Sequence, residues 1–388
     1  MMEIQNATLA SLSVDGRGSY GIGASAVERS ENLYTYLRIT DIRDDGTLNM
    51  ADLKSVDDEK ASQYLLKPND IVFARTGAST GRNYFYDGAD GEFVYAGFLI
   101  KFSIDPSKVN PKYVKYYCMS DAYKGWIHSF NTGSTRGNIN AQTLGGIPVP
   151  IPPRPQQDGI VDILSSLDEK IRKNTEVNEN LQEQAQALYT NMFIQNNSNQ
   201  WSDGVLSDVA EIIMGQSPKG DTYNEDGVGT VFFQGRGEFG FRFPTRRLFT
   251  TDPKRMAQSN DVLMSVRAPV GDLNVAYEPC CIGRGLGAIR SKDNHQSFVL
   301  YTVFSLREKL DMFNGEGTVF GSINRDALNS MPIVIPTKEE MDRFEEIVAP
   351  MDAAIRNNYE EICRLEAIRD SLLPQLMSGE LDVSDLDL

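Results

Sequence analysis

The stretch Gly133-Ser134-Thr135-Arg136-Gly137-Asn138-Ile139-Asn140 recurs 184 positions further along as Gly317-Thr318-Val319-Phe320-Gly321-Ser322-Ile323-Asn324. The two stretches share the pattern G-[ST]-x-x-G-x-I-N, and the match continues without a gap from Ile147–Pro152 to Met331–Pro336. Between residues 133–192 and 317–376, 17 of 60 aligned positions are identical. A repeat of this length indicates that the chain contains two copies of one module.

The match extends more weakly upstream, where Asn69–Phe73 resembles Asn260–Met264 and each segment precedes a basic, glycine-containing loop. The order is therefore globular domain, helix, globular domain, helix, and the domains have diverged more than the helices. Two modules with the same role but different targets would show this difference in divergence. We expect a first domain at 1–153, a first helix at 154–194, a second domain at 195–336, and a second helix with an acidic tail at 337–388.

Within each domain, short β-rich runs such as Ile71–Ala74, Phe93–Phe102 and Val262–Val266 are joined by Gly and Asp turns. A helix is predicted from Pro111 to about Tyr123, because proline is favoured in the first turn of a helix. These elements predict an α+β fold built from mixed α/β modules.

Apolar residues recur with alternating steps of four and three after each domain, which is the a/d spacing of a coiled coil. Four sustained heptads favour helices that pack on each other over helices that pack only on their own domains. An antiparallel pair is favoured because only the short segment Gln195–Gln200 separates the first helix from the second domain. Asn174 and Asn358 lie at equivalent positions of the two helices. They either define the register of the helix pair or face solvent at the edge of the helix–helix contact. The predicted helix–helix core comprises Ile160, Leu164, Leu167, Ile171, Asn174, Leu181, Leu188, Val348, Met351, Ile355, Asn358, Leu365 and Leu372.

Composition narrows the possible functions of this chain of 388 residues and formal net charge −16. No run approaches the roughly 18 apolar residues of a membrane helix, and the N-terminus lacks the pattern of a signal peptide. The four cysteines show no CxxC spacing, and the chain has two histidines, His128 and His295. A metal site or a histidine-based catalytic site is therefore not predicted. We expect a cytoplasmic protein without membrane contact and without catalytic residues.

Several loops in both halves combine arginine with glycine and small polar residues, for example Arg75–Asn83 and Gln234–Arg236. Arginine can bind guanine edges with two hydrogen bonds, and asparagine or glutamine can do the same with adenine. Any one loop could be an ordinary turn, but their presence in both copies favours DNA contact. The predicted DNA-binding residues are Arg75, Thr76, Arg82, Asn83, Arg136, Asn138, Gln234, Arg236, Arg242, Arg246, Arg247 and Arg267.

Two other interpretations remain open from the residues alone. The halves could bind peptides while the helices bridge partners, as in a non-catalytic coiled-coil adaptor. Phe233–Gly237 also matches the F-x-G-x-G pattern of adenosylmethionine-binding methyltransferases. However, Asn110-Pro111-Lys112-Tyr113 carries Lys where the catalytic N-P-P-Y motif has Pro, so a stand-alone DNA methyltransferase is the weakest of the three interpretations.

The segments Gly133–Asn140, Ile147–Pro150 and Gln156–Leu188 resemble the specificity subunit of Type I restriction–modification systems, and the likeness covers essentially the whole chain. The resemblance implies two target-recognition domains, each reading one half of a bipartite sequence in double-stranded DNA, with antiparallel helices that set the gap. It also implies docking of two methyltransferase (modification) subunits and of restriction subunits. S-adenosylmethionine, ATP and Mg are expected in those partners, and no cofactor is expected in this chain. The second copy departs from the pattern at Lys338-Glu339-Glu340 and at Phe320.

The negative charge is concentrated outside the predicted domains. Residues 1–153 carry 15 basic and 17 acidic side chains and residues 201–336 carry 14 and 16, so each stretch has a net charge of −2. Residues 154–200 and 337–388 carry −3 and −9. Acidic helices suit docking to basic protein surfaces, and near-neutral domains suit a complex whose other subunits supply much of the phosphate affinity. We therefore predict weak DNA binding by the isolated chain.

Overall fold

A computed structural model of the chain describes residues 5–130, 138–196, 198, 200–314 and 321–383. The chain divides into two compact units. Unit 1 comprises residues 1–172 and 362–388, and unit 2 comprises residues 173–361. The division falls inside the two long helices, so each helix contributes one segment to each unit. The four predicted domain ranges stay a prediction.

Unit 1 contains short strands and four short helices before the first long helix. Its strands are β1 (Gln5–Thr8), β2 (Ser19–Tyr20), β3 (Ala26–Val27), β4 (Tyr34–Leu37), β5 (Lys54–Val56), β6 (Asp70–Ala74), β7 (Asn83–Tyr86), β8 (Phe93–Tyr95), β9 (Leu99–Ser103) and β10 (Pro148–Ile151). Its helices are α1 (Leu9–Leu12), α2 (Pro111–Tyr117), α3 (Asp121–Phe130), α4 (Ala141–Gly145) and the beginning of α5 (Arg154–Tyr189). An antiparallel sheet has the order β2-β9-β6-β7, a second sheet has the order β3-β5-β4-β8 with β4 parallel to β8, and β1 pairs with β10.

Unit 2 repeats this topology with one additional strand in its second sheet. Its strands are β11 (Ser202–Val205), β12 (Ala210–Met214), β13 (Tyr223–Asn224), β14 (Thr230–Phe233), β15 (Phe249–Thr250), β16 (Met256–Ala257), β17 (Val262–Ser265), β18 (Leu273–Val275), β19 (Cys280–Ile282), β20 (Leu286–Ser291) and β21 (Pro332–Ile335). Its helices are the end of α5, α6 (Leu206–Val209), α7 (Gln296–Ser305), α8 (Arg307–Asp311), α9 (Arg325–Asn329) and most of α10 (Lys338–Ser378). The sheets have the orders β12-β20-β17-β18 and β13-β15-β14-β19-β16, with β14 parallel to β19, and β11 pairs with β21.

Short helices of other types complete the list of elements. The 3₁₀ helices are Met50–Asp52, Ala61–Tyr64, Gly77–Ser79, Gly220–Thr222, Arg236–Glu238 and Met312–Asn314, and a π-helix, Thr190–Gln195, continues α5. None of the helices in the described ranges is long and apolar enough to cross a lipid bilayer.

The predicted α+β class is confirmed, but two predicted elements are each divided. The helix predicted from Pro111 to about Tyr123 is α2 followed by α3. The break occurs where the Ser120 hydroxyl accepts a hydrogen bond from Tyr123 N at 3.4 Å, as the cap of a new helix does. The run Phe93–Phe102 is β8 and β9, which belong to different sheets.

An Asn-Asp pair lies at the start of β6 in unit 1 and directly before β17 in unit 2. Asn69 and Asn260 have φ of 74° and 72°, a left-handed conformation that asparagine tolerates. The next residues, Asp70 and Asp261, are buried, and each is ion-paired with a cation on the adjacent strand: Lys101 Nζ lies 3.0 Å from Asp70 and Arg290 Nη2 lies 2.7 Å from Asp261. The weak upstream sequence match thus corresponds to the same buried ion pair in both units.

Within each unit, the segments of α5 and α10 run antiparallel. In unit 1, Asp168 contacts Arg369 at 3.3 Å, and Gly159 lies beside Val383. In unit 2, the amide of Asn358 donates to Asn178 Oδ1 at 2.9 Å, and the rings of Tyr189 and Phe344 are 5.8 Å apart. In both units, as the residue number in α5 increases, the residue number of its contact in the C-terminal segment decreases, which is the antiparallel arrangement.

The predicted helix–helix core residues all lie in the interior or at its margin. The buried ones are Ile160, Leu164, Asn174, Val348 and Ile355, and the half-buried ones are Leu167, Ile171, Leu181, Leu188, Met351, Asn358, Leu365 and Leu372. The partner of Asn358 is Asn178, whereas Asn174 Nδ2 donates to Glu361 Oε2 at 2.8 Å.

Candidate nucleic-acid interface

Backbone hydrogen bonds bring several segments together at one end of the antiparallel sheet of unit 1. Arg75 N, directly after β6, donates to Phe98 O at 3.1 Å, and Ile139 N donates to Arg75 O at 2.9 Å. Thr76 and Asn138 form an antiparallel bridge. We term the side chains at this end the first edge: Tyr20, Arg75, Thr76, Phe98 and Asn138.

The guanidinium of Arg75 is oriented by its neighbours in the first edge. It lies over the ring of Tyr20 at 4.9 Å, and its Nη2 donates to Asn138 Oδ1 at 3.3 Å. Its Nε is buried and has no hydrogen-bond partner among the described residues. Tyr20 and Phe98 are 42% and 61% exposed, which is high for aromatic side chains. The first edge therefore combines an arginine held by Tyr20 and Asn138 with two accessible aromatic rings.

The same set of backbone hydrogen bonds occurs in unit 2. Val266 N, directly after β17, donates to Gly285 O at 2.9 Å, and Ile323 N donates to Val266 O at 3.0 Å. Arg267 and Ser322 form the antiparallel bridge. Gln234 joins this group because its carbonyl accepts from Gly285 N at 3.2 Å. We term the exposed side chains here the second edge: Gln216, Gln234, Arg267, Arg284 and Ser322.

Glycines allow the segments of the second edge to approach each other closely. A Cβ on Gly283 would lie 2.9 Å from Gln234 Cα, and a Cβ on Gly215 would lie 2.1 Å from Gly283 O. Both distances are too short for any side chain, so the approach of these backbones requires glycine.

Equivalent positions of the two edges carry different side chains on the same backbone framework. The matched hydrogen bonds place Thr76 opposite Arg267, and Asn138 opposite Ser322. Phe98 in the first edge corresponds to Gly285 in the second. A shared framework with unlike side chains is what two modules directed at different targets require.

The I-N residues of the repeated motif are structural. Ile139 and Ile323 are both 3% exposed. Asn140 Oδ1 accepts from Thr143 N at 2.8 Å, and Asn324 Oδ1 accepts from Ala327 N at 2.9 Å, so these residues cap α4 and α9. These two positions of the motif therefore recur because they anchor the chain beside each edge.

Besides the buried Arg242, four of the predicted DNA-binding arginines are already ion-paired with carboxylates. Arg82 Nε contacts Asp44 Oδ1 at 2.6 Å. Arg236 contacts Asp272, and Arg246 contacts Glu278, each at 2.5 Å. Arg247 contacts Glu238 at 2.5 Å and Glu225 at 2.9 Å. Each would have to exchange its partner in order to bind a phosphate or a base.

Two predicted contact residues lie in the protein interior, which corrects the predicted set. Asn83 is buried, and its Nδ2 donates to Cys118 O at 3.1 Å. Arg242 is 4% exposed, and its Nη2 donates to Tyr301 Oη at 3.0 Å and lies 3.3 Å from Asp352 Oδ1. Neither side chain is accessible to a duplex. Arg136 lies outside the described residues.

Sequence reasoning missed five side chains of the two edges: Tyr20, Phe98, Gln216, Arg284 and Ser322. Their neighbours in sequence form no arginine-rich loop, and strand pairing alone brings them to the edges. The one available signal was Gly283-Arg284-Gly285, in which glycines flank an arginine as they do in the predicted loops.

Phe233–Gly237, which resembles a cofactor-binding motif, supplies Gln234 to the second edge, where its side chain is exposed. Among the residues that the structure describes, no group of three or more His, Cys, Asp or Glu side chains could hold a metal ion.

The fold and the two edges define a class of protein: a duplicated α+β chain in which each unit joins a polar edge to antiparallel helices. Residues 25–183 and 198–367 match the sequence model of the Type I restriction modification DNA specificity domain. The chain therefore belongs to this family. It is a specificity subunit, the non-catalytic component of a Type I restriction–modification system.

Individual relatives agree with this assignment. The chain is 29% identical over 390 residues to a protein of Methanocaldococcus jannaschii that bears the name of the type I restriction enzyme MjaX specificity subunit, covering 93% of this chain and 90% of that protein. It is 22% identical over 404 residues to the HindI specificity subunit of Haemophilus influenzae, covering 81% and 87%. The crystal structure of the Type-I restriction-modification system S subunit from M. genitalium has a similar fold, with a TM-score of 0.59, 16% identity, and coverage of 97% and 96%. Membership of the family implies DNA and the modification and restriction subunits as partners.

Proposed function

We propose that the first and second edges each contact one half of a bipartite sequence in double-stranded DNA. One observation carries the proposal: two units with the same backbone framework expose different polar and aromatic side chains at equivalent positions. Base edges are read by such side chains, whereas phosphates give affinity without sequence information. Each unit would thus recognise its own half-site.

The proposed contact set differs from the one predicted from sequence. It retains Arg75, Thr76, Asn138, Gln234 and Arg267 and gains Tyr20, Phe98, Gln216, Arg284 and Ser322. The ion-paired Arg82, Arg236, Arg246 and Arg247 remain proposed as phosphate contacts, because their carboxylate partners can be exchanged for phosphate oxygens. Arg136 also remains proposed. Asn83 and Arg242 are left out because they are buried.

We further propose that α5 and α10 set the distance between the half-sites, with domain boundaries at 1–153, 154–194, 195–336 and 337–388. The 36 residues of α5 correspond to about 54 Å at 1.5 Å per residue. That length matches roughly 16 base pairs of duplex at 3.4 Å each.

The assembly we propose contains two modification subunits and restriction subunits in the cytoplasm. S-adenosylmethionine, ATP and Mg would be bound by those partners, and this chain would bind no cofactor. The acidic segment 337–388 supports docking of basic protein surfaces onto the helices, since like charge disfavours DNA there.

The test is methylation sequencing of DNA from cells that express the chain with its modification subunit. We expect one bipartite motif with a constant gap. Exchange of unit 2 edge side chains should alter one half of the motif and leave the other unchanged. Methylation without a bipartite motif would refute the proposed function.

A further inference from the structure

The arginines around the second edge differ in whether their guanidinium groups already have partners. Arg236 is bound to Asp272, and the side chain of Arg242 is buried against Tyr301 and Asp352. By contrast, Arg267 and Arg284 are exposed. Within the described part of the chain, neither guanidinium forms a hydrogen bond, an ion pair or a cation–π contact.

These two arginines are held close together by the backbone. Arg284 is flanked by Gly283 and Gly285, and its own amide donates to Ser217 Oγ at 3.2 Å. Gly285 O accepts from the amide of Val266, the residue before Arg267, at 2.9 Å. The two side chains therefore leave adjacent chain segments that are joined by hydrogen bonds.

Two glutamines lie beside the pair. Gln234 O accepts from Gly285 N at 3.2 Å, and Gln216 N donates to Ile282 O at 2.9 Å. Both side chains are exposed. The second edge thus groups two guanidinium groups with two carboxamides, the side chains that pair with guanine and adenine in the major groove.

The first edge lacks this arrangement. The hydrogen bonds place Gly97 where unit 2 has Arg284, and Thr76 where unit 2 has Arg267. The arginine of the first edge, Arg75, is stacked on Tyr20 and bonded to Asn138. The two units thus share a backbone framework and differ in the side chains that it carries.

We propose that unit 2 reads guanine through Arg267 and Arg284. This inference rests on the proposed function and adds the base class that one half-site contains. A guanidinium without an intramolecular partner can direct two N–H groups at O6 and N7 of guanine without first breaking an ion pair. A lysine at the same position keeps the charge but presents no planar fork, so it can retain a phosphate contact but not a two-bond contact to a base.

The experiment uses the complete complex with its modification subunits and a random-sequence duplex library whose methylated members are sequenced. The variants are Arg284→Lys and Arg267→Lys. Arg43→Lys is the matched control, because Arg43 is an exposed arginine of unit 1 outside both edges. For each edge variant we expect about ten- to hundred-fold loss of guanine preference at one position of one half-site. The other half-site and the Arg43→Lys motif should be unchanged.

The inference is overturned if both edge variants keep the wild-type motif, or if they lower methylation equally for all sequences, as loss of a phosphate contact would. In either case a bipartite wild-type motif would leave the proposed function standing. A wild-type complex that methylates without a bipartite motif would refute the proposed function itself.

Discussion

Asp168 in α5 illustrates how single residues connect the long helix to its domain. Its carboxylate lies 2.7 Å from Lys115 Nζ and 3.3 Å from Arg369 Nη1, and it accepts a hydrogen bond from Tyr116 Oη at 2.8 Å. Burial acts to raise the pKa of Asp168, but Lys115, the Tyr116 hydroxyl and Arg369 outweigh it, so the pKa lies below the ordinary value of 3.8. Folding therefore favours the charged form of this side chain.

Asp168→Asn should lower the free energy of unfolding by about 1–3 kcal/mol at pH 7, because it leaves buried donors without their charged acceptor. A carboxyl group with a lowered folded-state pKa stabilises the fold above its unfolded pKa, and this contribution disappears as the pH falls through the folded value. The difference between variant and wild type should thus shrink below pH 3.8. Urea unfolding from pH 7 to pH 3 measures it. Asp162→Asn, an exposed site on the same helix, is the control, and an equal loss in both variants would contradict the prediction.

At the scale of the elements, α5 and α10 of unit 2 are held in register by polar side chains inside an apolar seam. Asn178 is buried, donates to Ile355 O at 3.3 Å, and accepts from Asn358 Nδ2 at 2.9 Å. Slippage by one position would leave these buried polar groups without hydrogen-bond partners. A buried polar group without a partner destabilises the fold more than an apolar side chain that is slightly misplaced in the same seam.

Asn178→Leu and Asn358→Leu should therefore be coupled. Each single variant leaves one amide without its partner and should lower the free energy of unfolding by about 1–3 kcal/mol. The double variant should lower it by less than the sum, with a coupling of about 0.5–2 kcal/mol. A double-mutant cycle from urea unfolding gives this value. Asn180→Leu combined with Asn358→Leu is the matched control, because among the described residues the Asn180 amide bonds within its own helix, at Glu176 O. If the free-energy changes of Asn178→Leu and Asn358→Leu were strictly additive, these two side chains would not hold the helices in register.

For the whole molecule, the proposed function predicts that the length of α5 and α10 sets the gap between the two half-sites. Two heptads added to α5 after Arg172 and to α10 after Glu361 would lengthen both helices by about 21 Å. The gap in the methylated motif should widen by roughly six base pairs at 3.4 Å each, with both half-site sequences retained. Methylation sequencing reads both quantities at once. One added heptad is the control and should give half the widening. An unchanged gap with two added heptads would refute the proposal that the helices set the distance between the half-sites.

The charge distribution leads to a second prediction for the whole molecule. With a net charge of −2 on residues 1–153 and again on 201–336, the isolated chain should bind its target duplex weakly at physiological salt. Added modification subunits should raise the affinity at least ten-fold in fluorescence anisotropy. Nanomolar binding by the chain alone would contradict this.

Periodicity and repetition could be read from the sequence because they depend on near neighbours along the chain. The 184-residue repeat predicted two like units, and heptad spacing predicted helices that the structure places at Arg154–Tyr189 and Lys338–Ser378. Even so, the sequence did not reveal that Asn358 pairs with Asn178 rather than Asn174, since both asparagines lie on the same helical stripe.

The sequence by itself determined the duplication, the helix pair and the residue types suited to DNA. Only the tertiary structure decided which of those residues are available. Arg82 and Arg236 are neutralised by Asp44 and Asp272, which lie 38 and 36 residues away along the chain, and Arg242 is buried by elements more distant still. Arg284, absent from the predicted set, is exposed without a partner in the described chain. Accessibility and ion pairing depend on contacts between distant segments, and residue type alone cannot specify them.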